Sequence, residues 1–239
     1  MLANRIVCRA GLSTAFGHVS ARLPGADKFL IPTRASPALA TEERLLTMDL
    51  DGRVVEGSGT PNTEFWIHAR IYAARADVGS VVHVHPPACV VLGQLGTTVR
   101  PLHNSGAALG ADIPLYERPG LISSRELGDE VAARLGGRRA MLLRGHGANV
   151  AAEELHRATV LACFLEEAAE LQLRALAAAG RAGDGIRFYD EQECRLVGEQ
   201  IEATGPVERA WDYYSALVAG TVPGSDVGGR RMRSRNQAR

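Results

Sequence analysis

Apolar positions recur along this chain with two different periods. Between about residue 152 and residue 179, Leu155, Ala158, Ala162, Leu165, Ala169, Leu173 and Leu176 follow one another at spacings of three and four. That period predicts one long helix with a face buried along its length, stopped by Gly180. Shorter apolar runs predict strands: residues 28–32, closed by a proline; 80–85, β-branched and closed by Pro86-Pro87; and 139–143, ending at Arg144-Gly-His-Gly147. Residues 45–50 and 53–55 flank Asp51-Gly52, a hairpin signal. A short helix-like start leads into residues 11–24, which are rich in Gly, Ser and Thr, so the opening third reads mainly β. Thr60 as N-cap and Pro61 at the first helical position predict a helix over 61–76.

Composition narrows the class. A chain of 239 residues with 46% hydrophobic content can bury a substantial core, which points to one compact domain over residues 1–222. Residues 223–239 carry almost nothing apolar and many Gly and Arg, the composition of a flexible, solvated tail. No internal repeat is present. Lysine plus arginine number 27 and aspartate plus glutamate 27, so there is no net field to recruit nucleic acid or an anionic membrane. The expected partner is a small molecule or another copy of the chain. The four cysteines form no C-x-x-C pair and the N-terminus has neither an apolar h-region nor a cleavage site, as for reduced thiols in a cytoplasm. No apolar run reaches the roughly 18 to 20 residues of a membrane span.

Histidines supply the candidate chemistry. His83 and His85 are two apart in a predicted strand, so their imidazoles share a face and form either a ligand pair or a hydrogen-bonded pair. His146 turns the balance toward metal: Gly145 and Gly147 flank it at the end of another strand, where glycines let backbone approach closely while one side chain projects. Three histidines leave coordination positions open, which points to catalysis rather than structure. Glu64 falls near the start of its helix, where the dipole favours a carboxylate, and His68 lies one turn on, read as a structural partner rather than a ligand. His18 and His103 are isolated, and His156 reads as a surface residue.

Taken in order, six stretches resemble the class II aldolase and adducin family. They are Gly17-His-Val-Ser-Ala-Arg22, Phe29-Leu-Ile-Pro-Thr33, Asp51-Gly52, Pro61-Asn-Thr-Glu-Phe-Trp-Ile-His68, Val81-Val-His-Val-His-Pro86 and Leu142-Leu-Arg-Gly-His-Gly147. The likeness covers roughly residues 10 to 180 of a family that includes sugar-phosphate aldolases, epimerases and decarboxylases. It implies a three-layer α/β/α fold around a mixed, largely antiparallel sheet, and a homotetramer with active sites between subunits. It also implies one divalent ion per subunit on His83, His85 and His146, with Glu64 as the acid/base. Zinc suits three imidazoles best, with manganese, iron or cobalt as alternatives. In related aldolases a tyrosine from the neighbouring subunit protonates the leaving carbon, and Tyr116 is the nearest counterpart.

The sugar-phosphate members bind phosphate with small residues where this chain has His18, Arg34, Asn62 and Thr63. Arg34, with a planar fork suited to a carboxylate, and His18 are the expected replacements. The Gly-His-Val-Ser-Ala-Arg form is similar to members that decarboxylate hydroxylated aromatic acids. The expectation is a metal-dependent carbon–carbon lyase, aldolase or decarboxylase, acting on a small hydroxy or keto carboxylate. A non-haem iron oxygenase and a non-catalytic adducin-like module are the other readings.

Overall fold

The predicted strands meet in a single mixed sheet. In the computed structural model, which describes residues 1–179, 185–203 and 205–222, eight strands lie in the order β4-β3-β2-β1-β5-β8-β7-β6. They are β1 (His18–Arg22), β2 (Lys28–Pro32), β3 (Leu45–Asp49), β4 (Val54–Glu56), β5 (Ser80–Val84), β6 (Leu115–Tyr116), β7 (Ala140–Leu143) and β8 (Gly147–Ala152). Neighbours are antiparallel throughout, save the parallel pair β6 and β7. The hairpin at Asp51-Gly52 forms as read, with Asp49 Oδ1 accepting the N–H groups of Asp51 at 3.0 Å and Arg53 at 2.8 Å.

Strand alternation sends side chains to two cores. Val82, Val84, Leu142, Ala148 and Val150 pack with α1 (Leu2–Arg9), α3 (Pro87–Gln94), α6 (Leu155–Ala179) and α8 (Pro206–Ala219). Val81, Met141, Leu143 and Ala151 pack with α2 (Phe65–Ala74) and α5 (Arg125–Leu135). The result is the expected three-layer α/β/α arrangement. The remaining described helices are α4 (Asn104–Ala107) and α7 (Glu191–Ala203). Among the described residues no helix is long and apolar enough to cross a membrane.

Two local expectations are corrected. Residues 61–76 are not one helix: Pro61 bridges to Thr33 in extended conformation, Asn62 Oδ1 accepts the Glu64 N–H at 3.1 Å, and α2 starts at Phe65 with Glu64 as its N-cap. The side chain of Asn62 thus takes the backbone donor that a helix start at Thr60 would have claimed. The long helix begins at Leu155 because residues 147–152 form β8, a strand of small residues with one β-branched member that is buried on both faces between β5 and β7. The Gly/Ser/Thr-rich segment 11–24 contains β1, in keeping with an opening third read as mainly β. Gly180 and the segment 223–239 lie outside the described residues.

Candidate metal centre

Sheet parity builds the site. His18 and Ser20 on β1 are registered opposite His83 and Val81 on β5, so residues 18, 20, 81 and 83 all face α2. His85 continues that face one residue past the strand, held by its N–H to the Leu12 carbonyl at 3.0 Å. His146 sits in the tight connection from β7 to β8, its N–H bonded to the Leu143 carbonyl at 3.1 Å. Gly145 has φ +65°, and a Cβ on Gly147 would overlap the Val84 carbonyl oxygen and stand 2.8 Å from the His85 ring. Both glycines of Gly-His-Gly are therefore needed, one for its backbone and one for close approach.

The three imidazoles converge. Ring centroids of His83, His85 and His146 lie 4.9 to 5.0 Å apart. Nε2 of His83 and Nε2 of His85 stand 3.1 Å apart, and Glu64 Oε2 lies 3.6 Å from His83 Nε2 and 3.4 Å from His146 Nε2. One donor atom from each of these four residues falls within 4.8 Å of the others. Two ligands of a tetrahedral ion stand roughly 3.3 Å apart when each bond is about 2.0–2.1 Å, so the spacing suits a single divalent cation.

The protonation states agree. His83 Nδ1 bonds Asn149 Oδ1 at 2.7 Å, and an amide oxygen only accepts, so the hydrogen is on Nδ1 and the Nε2 lone pair faces the cluster. Burial first, then neighbouring His83 and His146, lowers His85 to about 4 and keeps it neutral. Both nitrogens of His146 are buried without a hydrogen-bond partner, the 3.4 Å approach of Glu64 being off the hydrogen-bonding line. An orphaned buried imidazole beside two others fits a site that holds a cation. Burial alone would raise the Glu64 carboxyl, but the facing imidazoles of His146 and His83 overcome it and hold the group below the usual carboxylate range. The N–H of Ile122 donates to Glu64 Oε1 at 2.9 Å, leaving Oε2 toward the cluster.

The other predicted residues are distributed around this centre. A cavity of about 340 Å³ beside Glu64 is lined by Arg34, Asn62, Thr63, Phe16 and Leu121 among others. The Arg34 side chain is exposed and takes no partner among the described residues. His18 is not in that lining; it is buried with His68, Nδ1 to Nε2 at 2.6 Å, and its ring centroid is 5.1 Å from that of His83. Tyr116 is not brought to the cluster of its own chain: its hydroxyl donates to Glu130 Oε2 at 2.6 Å. Burial and that carboxylate push the phenol up to about 12. His156 is half-buried beside Glu154. A larger groove of about 690 Å³ along α7 contains arginine–carboxylate pairs, Arg138 with Asp112 and Arg139 with Glu202, and none of the cluster.

Asn149, Ile122, Phe16 and Leu121 were not visible as site residues in the sequence. Asn149 lies on the strand that small residues concealed, and Ile122 contributes only a backbone group.

The family model for the Class II Aldolase and Adducin N-terminal domain matches residues 1–173. A 3,4-dihydroxyphthalate decarboxylase from Arthrobacter keyseri is 31% identical over 77% of this chain and 79% of that protein. An L-fuculose phosphate aldolase from Escherichia coli (strain K12) is 30% identical over 79% of this chain and 85% of that protein. The solved structure of an aldolase II superfamily protein from Pseudomonas syringae superposes with a TM-score of 0.78 at 25% identity, covering 94% of this chain and 91% of that one.

Proposed function

The chain belongs to the class II aldolase and adducin family, and from that premise we propose that it is a divalent-metal-dependent carbon–carbon lyase acting on a small hydroxy or keto carboxylate. The observation that carries the reading is the convergence of three imidazoles and one carboxylate, with donor atoms within 4.8 Å, beside a cavity of about 340 Å³. Decarboxylase and aldolase relatives support it.

A cation held by His83, His85 and His146 would supply a Lewis acid that steadies the negative charge left on the substrate when a carbon–carbon bond breaks. Neutral ligands leave its full charge available. Glu64 is fixed by the Ile122 N–H through one oxygen and is ionised, so its other oxygen can take a proton from a substrate hydroxyl. It returns that proton to the carbon from which the leaving group has departed. Arg34, with no partner among the described residues, pairs through two N–H groups with a substrate carboxylate.

Decarboxylation of a hydroxylated aromatic acid is the favoured form. Phe16 and Leu121 are 69% and 60% exposed and line the same cavity as Arg34, giving a planar substrate two apolar walls and one anchoring cation. Zinc is the metal that three imidazoles favour, a homotetramer is the assembly that the family implies, and scattered unpaired cysteines suit a cytoplasm. The test is metal content together with turnover on a panel of hydroxy aromatic acids, keto acids and sugar phosphates. Release of CO₂ that tracks bound metal supports the proposal; undiminished turnover after the metal is stripped overturns it.

A further inference from the structure

Next to the cluster, on the same face of the sheet, four side chains form an unbroken hydrogen-bonded line. His18 Nδ1 is 2.6 Å from His68 Nε2, His68 Nδ1 is 2.6 Å from Ser20 Oγ, and Ser20 Oγ is 2.7 Å from the Tyr72 hydroxyl. None of the four residues is more than 1% exposed, so water does not complete their hydrogen bonding. The hydrogens of Tyr72, Ser20 and His68 must therefore be placed within the line.

Counting hydrogens gives the line a direction. Burial keeps the Tyr72 phenol protonated, and the acceptor for its hydrogen among the described residues is Ser20 Oγ. Ser20 must place its own hydrogen elsewhere, on His68 Nδ1 at 2.6 Å or on the Val81 carbonyl at 3.5 Å. The shorter contact takes it, since a hydrogen bond at 3.5 Å is at the limit of useful geometry. With Nδ1 accepting, neutral His68 carries its hydrogen on Nε2 and donates to His18 Nδ1. His18 is then left with its hydrogen on Nε2. That nitrogen has no partner among the described residues, yet it is not one of the sealed, unpartnered atoms that both nitrogens of His146 are. His18 lies in register with His83, and the two rings are 5.1 Å apart.

We propose that Tyr72, Ser20 and His68 are positioning residues that hold His18 as its Nε2–H tautomer, so that His18 offers a fixed N–H donor to an anionic substrate oxygen at the metal centre. The identity of that acceptor rests on the lyase reading; the tautomer does not. The opposite tautomer would present a lone pair and repel the same oxygen, so the line selects substrates that bring an acceptor to this position. Histidine at position 18 and serine at position 20 would then work as one unit.

The experiment is long-range ¹H–¹⁵N correlation spectroscopy, or neutron diffraction, on the metal-loaded protein labelled at histidine. The expected result is His18 and His68 both protonated at Nε2 and bare at Nδ1. Finding the hydrogen of His18 on Nδ1 overturns the proposal, without any need for turnover. Ser20→Ala should mix the His18 tautomers while metal content stays the same, and Ser20→Thr, which keeps a hydroxyl, should restore one. In an active enzyme His18→Phe should lower kcat/KM by about 10- to 100-fold, the scale of one hydrogen bond to a charged group. Ser20→Ala should move kcat/KM in the same direction by less. An unaltered tautomer in Ser20→Ala, or unaltered kcat/KM in His18→Phe, would show that the line serves packing alone. Should the wild-type protein lack lyase turnover but show the expected tautomer, the lyase reading fails and the relay stands.

Discussion

Asn149 Oδ1 receives the Nδ1 hydrogen of His83 at 2.7 Å, across a β5–β8 register that sets the two residues directly opposite each other. One neutral amide thereby decides which nitrogen of the imidazole faces the cluster. Such outer partners are commonly worth about 10- to 100-fold in metal affinity. Asn149→Ala should weaken binding by that amount in a chelator competition assay, while Asn149→Asp, which still accepts, should bind nearly normally. Equal affinity in Asn149→Ala and the parent would mean that packing alone orients His83.

Removing a ligand should do more than weaken the site. His83→Ala or His146→Ala is expected to reduce metal content from about one ion per subunit to near zero and to abolish activity with it, because two imidazoles and a carboxylate no longer enclose the ion. Elemental analysis of the purified variants provides the readout, and normal occupancy in both would remove the assignment.

Glu64→Gln preserves an oxygen for the Ile122 N–H, at 2.9 Å in the parent, and so should retain both fold and metal. It cannot take up a proton. Turnover should fall by about 10²-fold or more, the contribution of a general acid/base, with metal content unchanged. A variant of near-normal activity would reduce Glu64 to a carboxylate that only holds the Ile122 N–H.

Arg34 is exposed and without a partner among the described residues, which makes it available to substrate. Arg34→Ala should raise KM with little effect on kcat, because an anchor remote from the reacting carbon contributes alike in ground and transition states. Lysine should rescue only in part, since a point charge does not reproduce the guanidinium fork. An unchanged KM, or much tighter binding of a phosphate-bearing hydroxamate than of its carboxylate counterpart, would exclude a carboxylate anchor.

Stability of the metal-free protein should fall in mild acid. Burial first, and then the neighbouring His83, lowers His68 from 6.5 to about 3 in the folded state. Above pH 6.5 the residue is neutral in both states and its full contribution is present. Below 6.5 the unfolded chain binds a proton that the folded one refuses, so stability declines by about 1.4 kcal/mol per pH unit until about pH 3. Denaturant unfolding at stepped pH measures the slope, and His68→Gln should lessen it by about 1.4 kcal/mol per pH unit, leaving the part that His85 contributes; an identical slope in that variant would assign the acid sensitivity to other groups.

The elements visible in the sequence are those whose burial is recorded in their own spacing. The apolar faces of α6, the hairpin at Asp51-Gly52, and the shared face of His83 and His85 follow from periods of 3.6 and 2 within one segment, and the structure agrees with each. β8 left no such record. Its residues, Gly-Ala-Asn-Val-Ala-Ala, are small because β5 and β7 press on both of its edges and helices cover both faces, a circumstance external to the segment.

Within the site, residue type and spacing nominated His83, His85 and His146, and the family resemblance added the role of Glu64. Their convergence within 4.8 Å, the Asn149 bond across 66 positions and the Ile122 bond across 58 were decided by sheet order and loop placement. The same holds for Tyr116, whose hydroxyl meets Glu130 within its own chain, and for His18, whose Nδ1 is taken up by His68. Local periodicity determines which face a side chain occupies. Which atom it meets there depends on a partner strand or helix brought from far along the chain, and only the packed sheet makes that choice.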